Sequence, residues 1–423
     1  RSSLSSSSAA SDVYKRQNLR RKANQDKRVA IIGYDYPNGE GNLLGGAQLD
    51  VAASIEVIMA DLAEQGYLVD PPAPGDLLNT LLREAVNDPA YGAQQRAKLY
   101  PRAQAIADIN APSAWQQVEQ YWADRDVQLP MTTPEGDFLI PAVEFGNVLV
   151  GVQPGRSPLH AGHDATHDNS VPPHPQYLAF YAWLREQWHA DVIVHVGTHG
   201  TFEFLKSKQA AVSVRDFPDL MLGGTPHVYL YYVGNPSEGT AARRRSHAVL
   251  VSYQPPVLRP GGLHGELAQL HSLVHELREA DQLGLASVEE LTEQISELAA
   301  EAHLPTDPDA LESELERLES GLVPYGLHVF GQPFSEDERF AMVCGLLSCG
   351  LADQPPAVEL WAAANDIEDI AELSATARME LEGQVQELIG RALRQPELST
   401  TELTSDEPLA QLIERGRQIA NSW

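Results

Sequence analysis

Short, largely apolar runs punctuate the first part of the chain: Arg28–Gly33 (RVAIIG), Asn147–Val152 (NVLVGV), Asp191–Val196 (DVIVHV), His227–Val233 (HVYLYYV) and Ala248–Tyr253 (AVLVSY). Each is too short for a helix and too continuous for a strand with one wet face, so strands with both faces covered are expected. Helical patterns lie between them. Ala47–Gln65 is amphipathic, Pro71–Asp126 is mostly helical with Pro-rich breaks, and Gln176–Trp188 is rich in Tyr, Phe and Trp. From Leu263 to Ser320 the pattern is helical and acidic; a loop at Val323–Pro333 interrupts it, and helices continue from Glu336 to Trp423. Strands alternating with helices predict an α/β fold, with parallel or mixed sheets carrying helices on their faces, followed by a mainly helical C-terminal part. There is no internal repeat.

The expected division is a disordered or non-native leader over 1–27, an α/β segment with a helical insertion over 28–135, an α/β core over 136–262, and a truncated, mainly helical region over 263–423. The leader rests on the Ser-rich stretch Arg1–Gln17, whose composition cannot build a core. The chain opens on Arg1 and stops at Trp423 straight after a helical pattern, and reads as a piece of something longer.

Charge narrows the function. Asp+Glu number 59 against 30 Lys+Arg in 423 residues, for a formal net charge of −29. A nucleic-acid binder would carry a basic footprint, and docking on anionic lipid needs one too. No stretch approaches the roughly 20 apolar residues of a membrane span. Two cysteines make no disulfide framework, so a reducing, cytoplasmic setting is expected. Cys344 and Cys349 would point about 140° apart on a helix, which suits buried thiols rather than a shared metal.

The stretch Asp191–Gln209 (DVIVHVGTHGTFEFLKSKQ) is the richest in chemistry. His195 ends a strand, His199 sits in the glycine turn that follows, and Glu203 comes four residues later, on the same face if a helix starts near Gly200. Ligands bind at the carboxyl ends of strands in open α/β sheets. Two imidazoles and a carboxylate there could bind a divalent metal or move protons near neutral pH, or could simply be a packed strand end and a helix cap. The loop Arg156–His174 holds His160, His163, His167, Asp168 and His174, and His-rich tracts can bind metal. Gly234–Arg245 reads as a turn and a helix start with Ser237 as N-cap. Its Arg243, Arg244 and Arg245 are either a solvated helix end or an anion site for substrate carboxylates. The loop Gly39–Gly46, with Glu40 and Asn42, could cradle an anion, but neither it nor any other segment has the G-x-x-x-x-G-K-[ST] pattern. The chain is therefore not expected to hydrolyse nucleotide itself.

Together these segments resemble the large subunit of the cobaltochelatase and magnesium-chelatase family. The resemblance is carried, in the family's order, by GYDYPNGEGNLLGGAQLDVAASI, FGNVLVGVQPGR, HDNSVPPHPQYLAFYAWLRE, ADVIVHVGTHGTFEFL, PHVYLYYVGNPSEGTAARRRSHAVLVSY and VPYGLHVFG, over nearly all of Val29–Gly331. The family's large subunits are far longer, so this would be a central-to-C-terminal portion. His167–Asp168, Pro172–His174, QYLAFYAWLRE, Gly239–Thr240 and Ser246–Ala248 look like the cobalt branch; Asn235–Glu238 is closer to the magnesium branch. After Leu205 the family's Pro-Gly turn is replaced by Lys206–Ser207, while Lys208 keeps the expected lysine. The resemblance implies a tetrapyrrole substrate and insertion of a divalent metal. Cobalt into a hydrogenobyrinic acid a,c-diamide-type corrin in cobalamin biosynthesis is the first reading. Magnesium into protoporphyrin, or a non-catalytic tetrapyrrole-binding relative, are the alternatives. It implies Glu203, His195 and His199 as the catalytic and metal-guiding groups. Arg243, Arg244, Arg245, Glu40, Asn42, Lys208, His167 and Asp168 become substrate-binding candidates. ATP would be used by a separate AAA+ ATPase subunit, working with an adaptor subunit.

Overall fold

The computed structural model describes residues 17, 19–35, 42–85, 98–123, 131–156, 168–208, 213, 215–261, 263–324, 326–349, 355–365, 367, 370, 373, 375–404 and 407–421. Two compact units divide the chain: 1–255 with 327–332, and 256–326 with 333–423.

The first unit is built on a six-stranded sheet. Its elements are β1 (Val29–Gly33), α1 (Val51–Glu64), β2 (Ala142–Phe145), β3 (Val148–Val152), α2 (Pro175–Ala182), β4 (Val192–Val196), β5 (His227–Tyr232), α3 (Pro236–Ser246) and β6 (Val249–Tyr253). Strand order is β2-β3-β1-β4-β5-β6. All neighbours are parallel except β2, which runs antiparallel to β3. In the register of the centre, Ile31 stands opposite Val150 on one side and Val194 on the other.

The continuous apolar run of β1 follows from burial on both faces. Val29 and Ile31 pack in the cluster with Val51, Ile55 and Met59 of α1, whereas Ala30 and Ile32 pack in the one with Tyr177, Leu178, Phe180 and Tyr181 of α2. Asp50 starts α1 by accepting the Ala53 backbone N–H (2.9 Å). Over the expected helix 176–188 the chain is α-helical to Ala182 and π-helical over Trp183–Gln187. Strand β2, with its half-exposed pattern, is too short to read from sequence, and so are the strands of two small antiparallel pairs, Lys98–Tyr100 with Phe138–Ile140 and Leu258–Pro260 with Leu322–Pro324.

Residues 327–332 return to the first unit as a strap. His328 donates its N–H to the Gln48 carbonyl (3.0 Å), its own carbonyl accepts the Asp50 N–H (2.9 Å), and Phe330 N–H reaches Ser54 Oγ (2.9 Å).

The second unit is helical. α4 (Glu266–Leu283), α5 (Val288–Glu301) and α6 (Pro308–Ser320) share one core, in which Leu270, Val274 and Leu277 meet Leu291, Ile295, Leu311 and Leu315. α7 (Glu336–Ser348), α8 (Ala375–Arg394) and α9 (Glu407–Asn421) share another, through Val343, Leu347, Val385, Ile389, Leu412 and Ile413. Cys344 is half-buried and Cys349 exposed on this unit. Among the described residues no helix is long and apolar enough to cross a membrane.

Candidate functional site

From β1 the chain builds β3 on one side; from β4 onward it builds the other side. The crevice at the C-terminal ends of β1 and β4 is thus the switch point where open α/β sheets take ligands. Tyr34 follows β1 and Gly197–Gly200 follow β4, and they touch. A Cβ on Gly200 would stand 2.0 Å from Tyr34 Cε1, so only glycine fits. Gly197 has φ +97°, a conformation other residues rarely adopt.

Glu203 is fully buried at this edge, on a single 3-10 turn, Phe202–Phe204. The helix expected from Gly200 is therefore absent, and His199 and Glu203 are not paired on a helix face. Glu203 Oε1 accepts the hydroxyls of Tyr231 (2.9 Å) and Tyr229 (3.2 Å), and the Tyr229 oxygen accepts the Gly200 N–H (3.0 Å). Tyr231 also lies 3.4 Å from Glu238 Oε2, at the start of α3. Burial pushes the Glu203 carboxyl up to about 7, outweighing the tyrosine hydrogen bonds that favour its charge. Near neutral pH it can hold or release a proton.

His195 is also fully buried, and its ring belongs to a hydrogen-bonded row. The Ser246 carbonyl can only accept, so His227 Nδ1 carries the hydrogen that reaches it (3.2 Å). His227 Nε2 is then the acceptor for His195 Nδ1–H (2.8 Å), and His195 Nε2 accepts the Tyr181 hydroxyl (2.8 Å). Tyr181 in turn accepts from Gln153 Nε2 (2.7 Å), whose Oε1 takes the Thr201 N–H (2.9 Å). Burial holds His195 well below the usual imidazole range, with His227 adding to the effect, and holds His227 down at about 4. Both rings are neutral, and both nitrogens of His195 are engaged by protein groups.

His199 stands differently. Its Nδ1–H donates to the Gly200 carbonyl (2.6 Å), and the half-buried ring lines two cavities. The larger, about 440 Å³, is bounded by Gly45, Gly46, Ala47, Thr198, Tyr232 and Asn235. The narrow one, with about 10 Å³ of open space, has the room of one water-sized group and is bounded by Tyr34, Asp35, Gln153, Arg156, Gly200 and Thr201 among others. Among the described residues no three His, Cys, Asp or Glu side chains are grouped to hold a metal ion.

The remaining candidates scatter. Arg243 and Arg244 are exposed on α3, whose cap falls at Asn235 rather than Ser237. Arg245 is buried and ties down the loop after Glu203, donating to the Leu205 carbonyl and to Ser207 Oγ (2.8 Å). Lys208 and Asn42 are exposed, as is Asp168, whose carboxylate is held below its usual range by the Ser170 hydroxyl and N–H. Glu40, His160, His163 and His167 lie outside the described residues. Tyr34, Gln153, Arg156, Tyr181, His227, Tyr229 and Tyr231 belong to the site but were not singled out from sequence. The period-2 spacing of His227, Tyr229 and Tyr231 in HVYLYYV was the available signal.

Over 333 residues the chain is 34% identical to the aerobic cobaltochelatase subunit CobN of a Sinorhizobium species, covering 74% of this chain and 26% of that protein. Over 328 residues it is 32% identical to a magnesium-chelatase subunit of Chlorobaculum parvum, again covering 74% and 26%. The chain thus spans about a quarter of the length of these curated relatives. Its fold matches the catalytic subunit of cobaltochelatase from Mycobacterium tuberculosis with a TM-score of 0.77 at 24% identity, over 98% of this chain and 38% of that one. Residues 6–421 match the CobN/Magnesium Chelatase family model, so the chain belongs to that family.

Proposed function

We propose that this chain carries the chemical centre of a metal chelatase large subunit, which binds a tetrapyrrole and inserts a divalent metal. The observation that supports it most is Glu203, a buried carboxyl at the switch point whose proton is balanced near neutral pH. Insertion strips two N–H protons from the ring while the ion sheds water. A carboxylate near pH 7 is a suitable acceptor for such protons. His199, at the wall of both cavities, guides the metal beside it. A metal that must be handed on needs an open position rather than a closed ligand set. His195 acts with them as a positioning residue rather than a metal ligand, because its Nδ1–H is donated to His227 and its Nε2 accepts the Tyr181 hydroxyl.

Cobalt insertion into a hydrogenobyrinic acid a,c-diamide-type corrin is the first reading. Magnesium insertion into protoporphyrin is the second, supported by nearly equal identity to relatives named for each metal. Ligand softness does not choose cobalt over zinc or copper, so choice falls to geometry and the ring. ATP-driven work belongs to an AAA+ ATPase subunit and an adaptor subunit. The test is reconstitution of the full-length subunit with those partners and each metal–ring pair. Glu203→Gln is expected to cut insertion about 10²-fold or more with ring affinity unchanged. Insertion at the wild-type rate would refute the assignment.

A further inference from the structure

We propose that Tyr253 is a positioning residue of the larger cleft. Its hydroxyl closes a hydrogen-bonded junction that keeps the three walls of the cleft in one arrangement, preformed for the ring. This rests on the tetrapyrrole reading above and adds to it a residue that acts on the ring through the walls.

The cavity of about 440 Å³ is bounded by three segments far apart in sequence: Gly45–Ala47 ahead of α1, Thr198–His199 after β4, and Tyr232 with Asn235 at the end of β5. One residue from each segment enters a single junction. Ala47 N–H donates to the Thr198 carbonyl (2.7 Å), and Tyr232 N–H donates to Thr198 Oγ1 (2.6 Å). Tyr253, the last residue of β6, closes the junction: its hydroxyl donates to the Ala47 carbonyl (2.8 Å) and accepts the Thr198 N–H (3.3 Å). Ala47, Thr198 and Tyr253 thus form a closed cycle in which each donates once and accepts once. Hydrogen bonds linked in this way polarise and strengthen one another.

The phenol is itself fixed. It is 2% exposed, and its ring lies nearly parallel to the His328 imidazole of the strap, with centroids 6.5 Å apart and planes at 7°. Gly45 and Gly46 give one wall a backbone without side chains, which lets a flat ring come close, but glycine also loses the most conformational freedom when held. Such a wall needs a tie from outside. Apparent affinity scales with the fraction of molecules in the binding-competent arrangement, so a tie that keeps this fraction near one strengthens binding without a contact to the ring. The Glu203 side is held separately. Glu203 accepts from Tyr229 and Tyr231, and His199 is anchored to the Gly200 carbonyl, while Gly200 N–H goes to Tyr229. Loss of the Tyr253 hydroxyl therefore reaches binding rather than the chemical step.

The experiment uses the full-length subunit as wild type, Tyr253→Phe and Tyr100→Phe. Phenylalanine at 253 keeps the ring beside His328 and removes only the hydroxyl. Tyr100→Phe is the control for losing a buried tyrosine hydroxyl elsewhere in the unit, where it donates to Asp108 (2.6 Å). In absorbance titration with a porphyrin, Tyr253→Phe should bind about tenfold more weakly or worse, and Tyr100→Phe within about twofold of wild type. With the ATPase and adaptor subunits added, KM for the ring should rise in Tyr253→Phe while kcat stays within about twofold. If Tyr253→Phe does not fold, Thr198→Val, which releases Tyr232 from the same junction, is tested against the same expectations. Binding at wild-type strength, or equal weakening in Tyr253→Phe and the control, would make the hydroxyl a contributor to stability alone and overturn the proposal. Hydrogen exchange separates the junction from the ring reading. If the wild type binds no ring, the tetrapyrrole reading fails; faster exchange of the Ala47 and Thr198 amides in Tyr253→Phe, at unchanged global protection, then upholds the junction, and unchanged exchange overturns it.

Discussion

Replacing Glu203 with glutamine should stabilise the protein, and only on the alkaline side. The side chain is fully buried, and its carboxyl is raised from an ordinary 4.5 to about 7 by loss of solvent. Below pH 4.5 the group is protonated both folded and unfolded and costs nothing. Between those two values the unfolded chain ionises while the folded one must stay protonated, so stability falls as pH rises. Above about 7 the folded protein carries a buried charge and the loss is complete. At 1.36 kcal/mol per pH unit, that interval corresponds to about 3 kcal/mol. Glutamine keeps the size and an oxygen that can accept the Tyr231 and Tyr229 hydroxyls, but never ionises. Urea unfolding followed by tryptophan fluorescence is a suitable assay, because Trp115, Trp122, Trp183 and Trp188 belong to the same unit as Glu203. The variant should match the wild type near pH 4.5 and exceed it by up to about 3 kcal/mol at pH 8. An equal stability difference at both pH values would show that burial does not control this carboxyl.

Three further outcomes are expected. His227→Leu removes the acceptor of His195 Nδ1–H in a dry setting and should cost about 1–3 kcal/mol in denaturant unfolding. Gly200→Ala drives a methyl into the Tyr34 ring and should cost at least about 1–3 kcal/mol, with loss of ring binding in an absorbance titration. Arg245→Ala should cost about 1.5–3 kcal/mol by releasing Leu205 and Ser207, whereas Arg243→Ala and Arg244→Ala should stay within about 0.5 kcal/mol by thermal unfolding.

The central strands were readable because burial on both faces leaves no polar positions in runs such as VAIIG and few in VIVHV. Ala142–Phe145 escaped notice because Glu144 breaks its short run, and an edge strand is completed by its neighbour rather than by its own pattern. Within the site, His195, His199 and Glu203 are close in sequence, so their shared location could be read directly. What each ring nitrogen does could not. His195 stands opposite Tyr229 by strand register, and its tautomer follows from a histidine on the next strand and a carbonyl on α3. Arg156 lay hidden because a loop arginine is ordinarily solvated; here long-range packing puts it in the wall of a cavity.

The strap at 327–332 gives the first unit a discontinuous sequence. It holds Gln48, Asp50 and Ser54, just after the residues that bound the larger cleft. Between Pro255 and Leu327 the chain makes a long excursion through the second unit before returning to it. Closing such a loop depends only logarithmically on its length, so doubling the excursion would cost about 0.6 kcal/mol. Evolution could therefore lengthen or replace much of that excursion cheaply, provided the chain still comes back. A shortened gene product ending at residue 255 would keep every strand of the six-stranded sheet, yet it would take away His328, the partner of the Gln48 carbonyl and the Asp50 N–H.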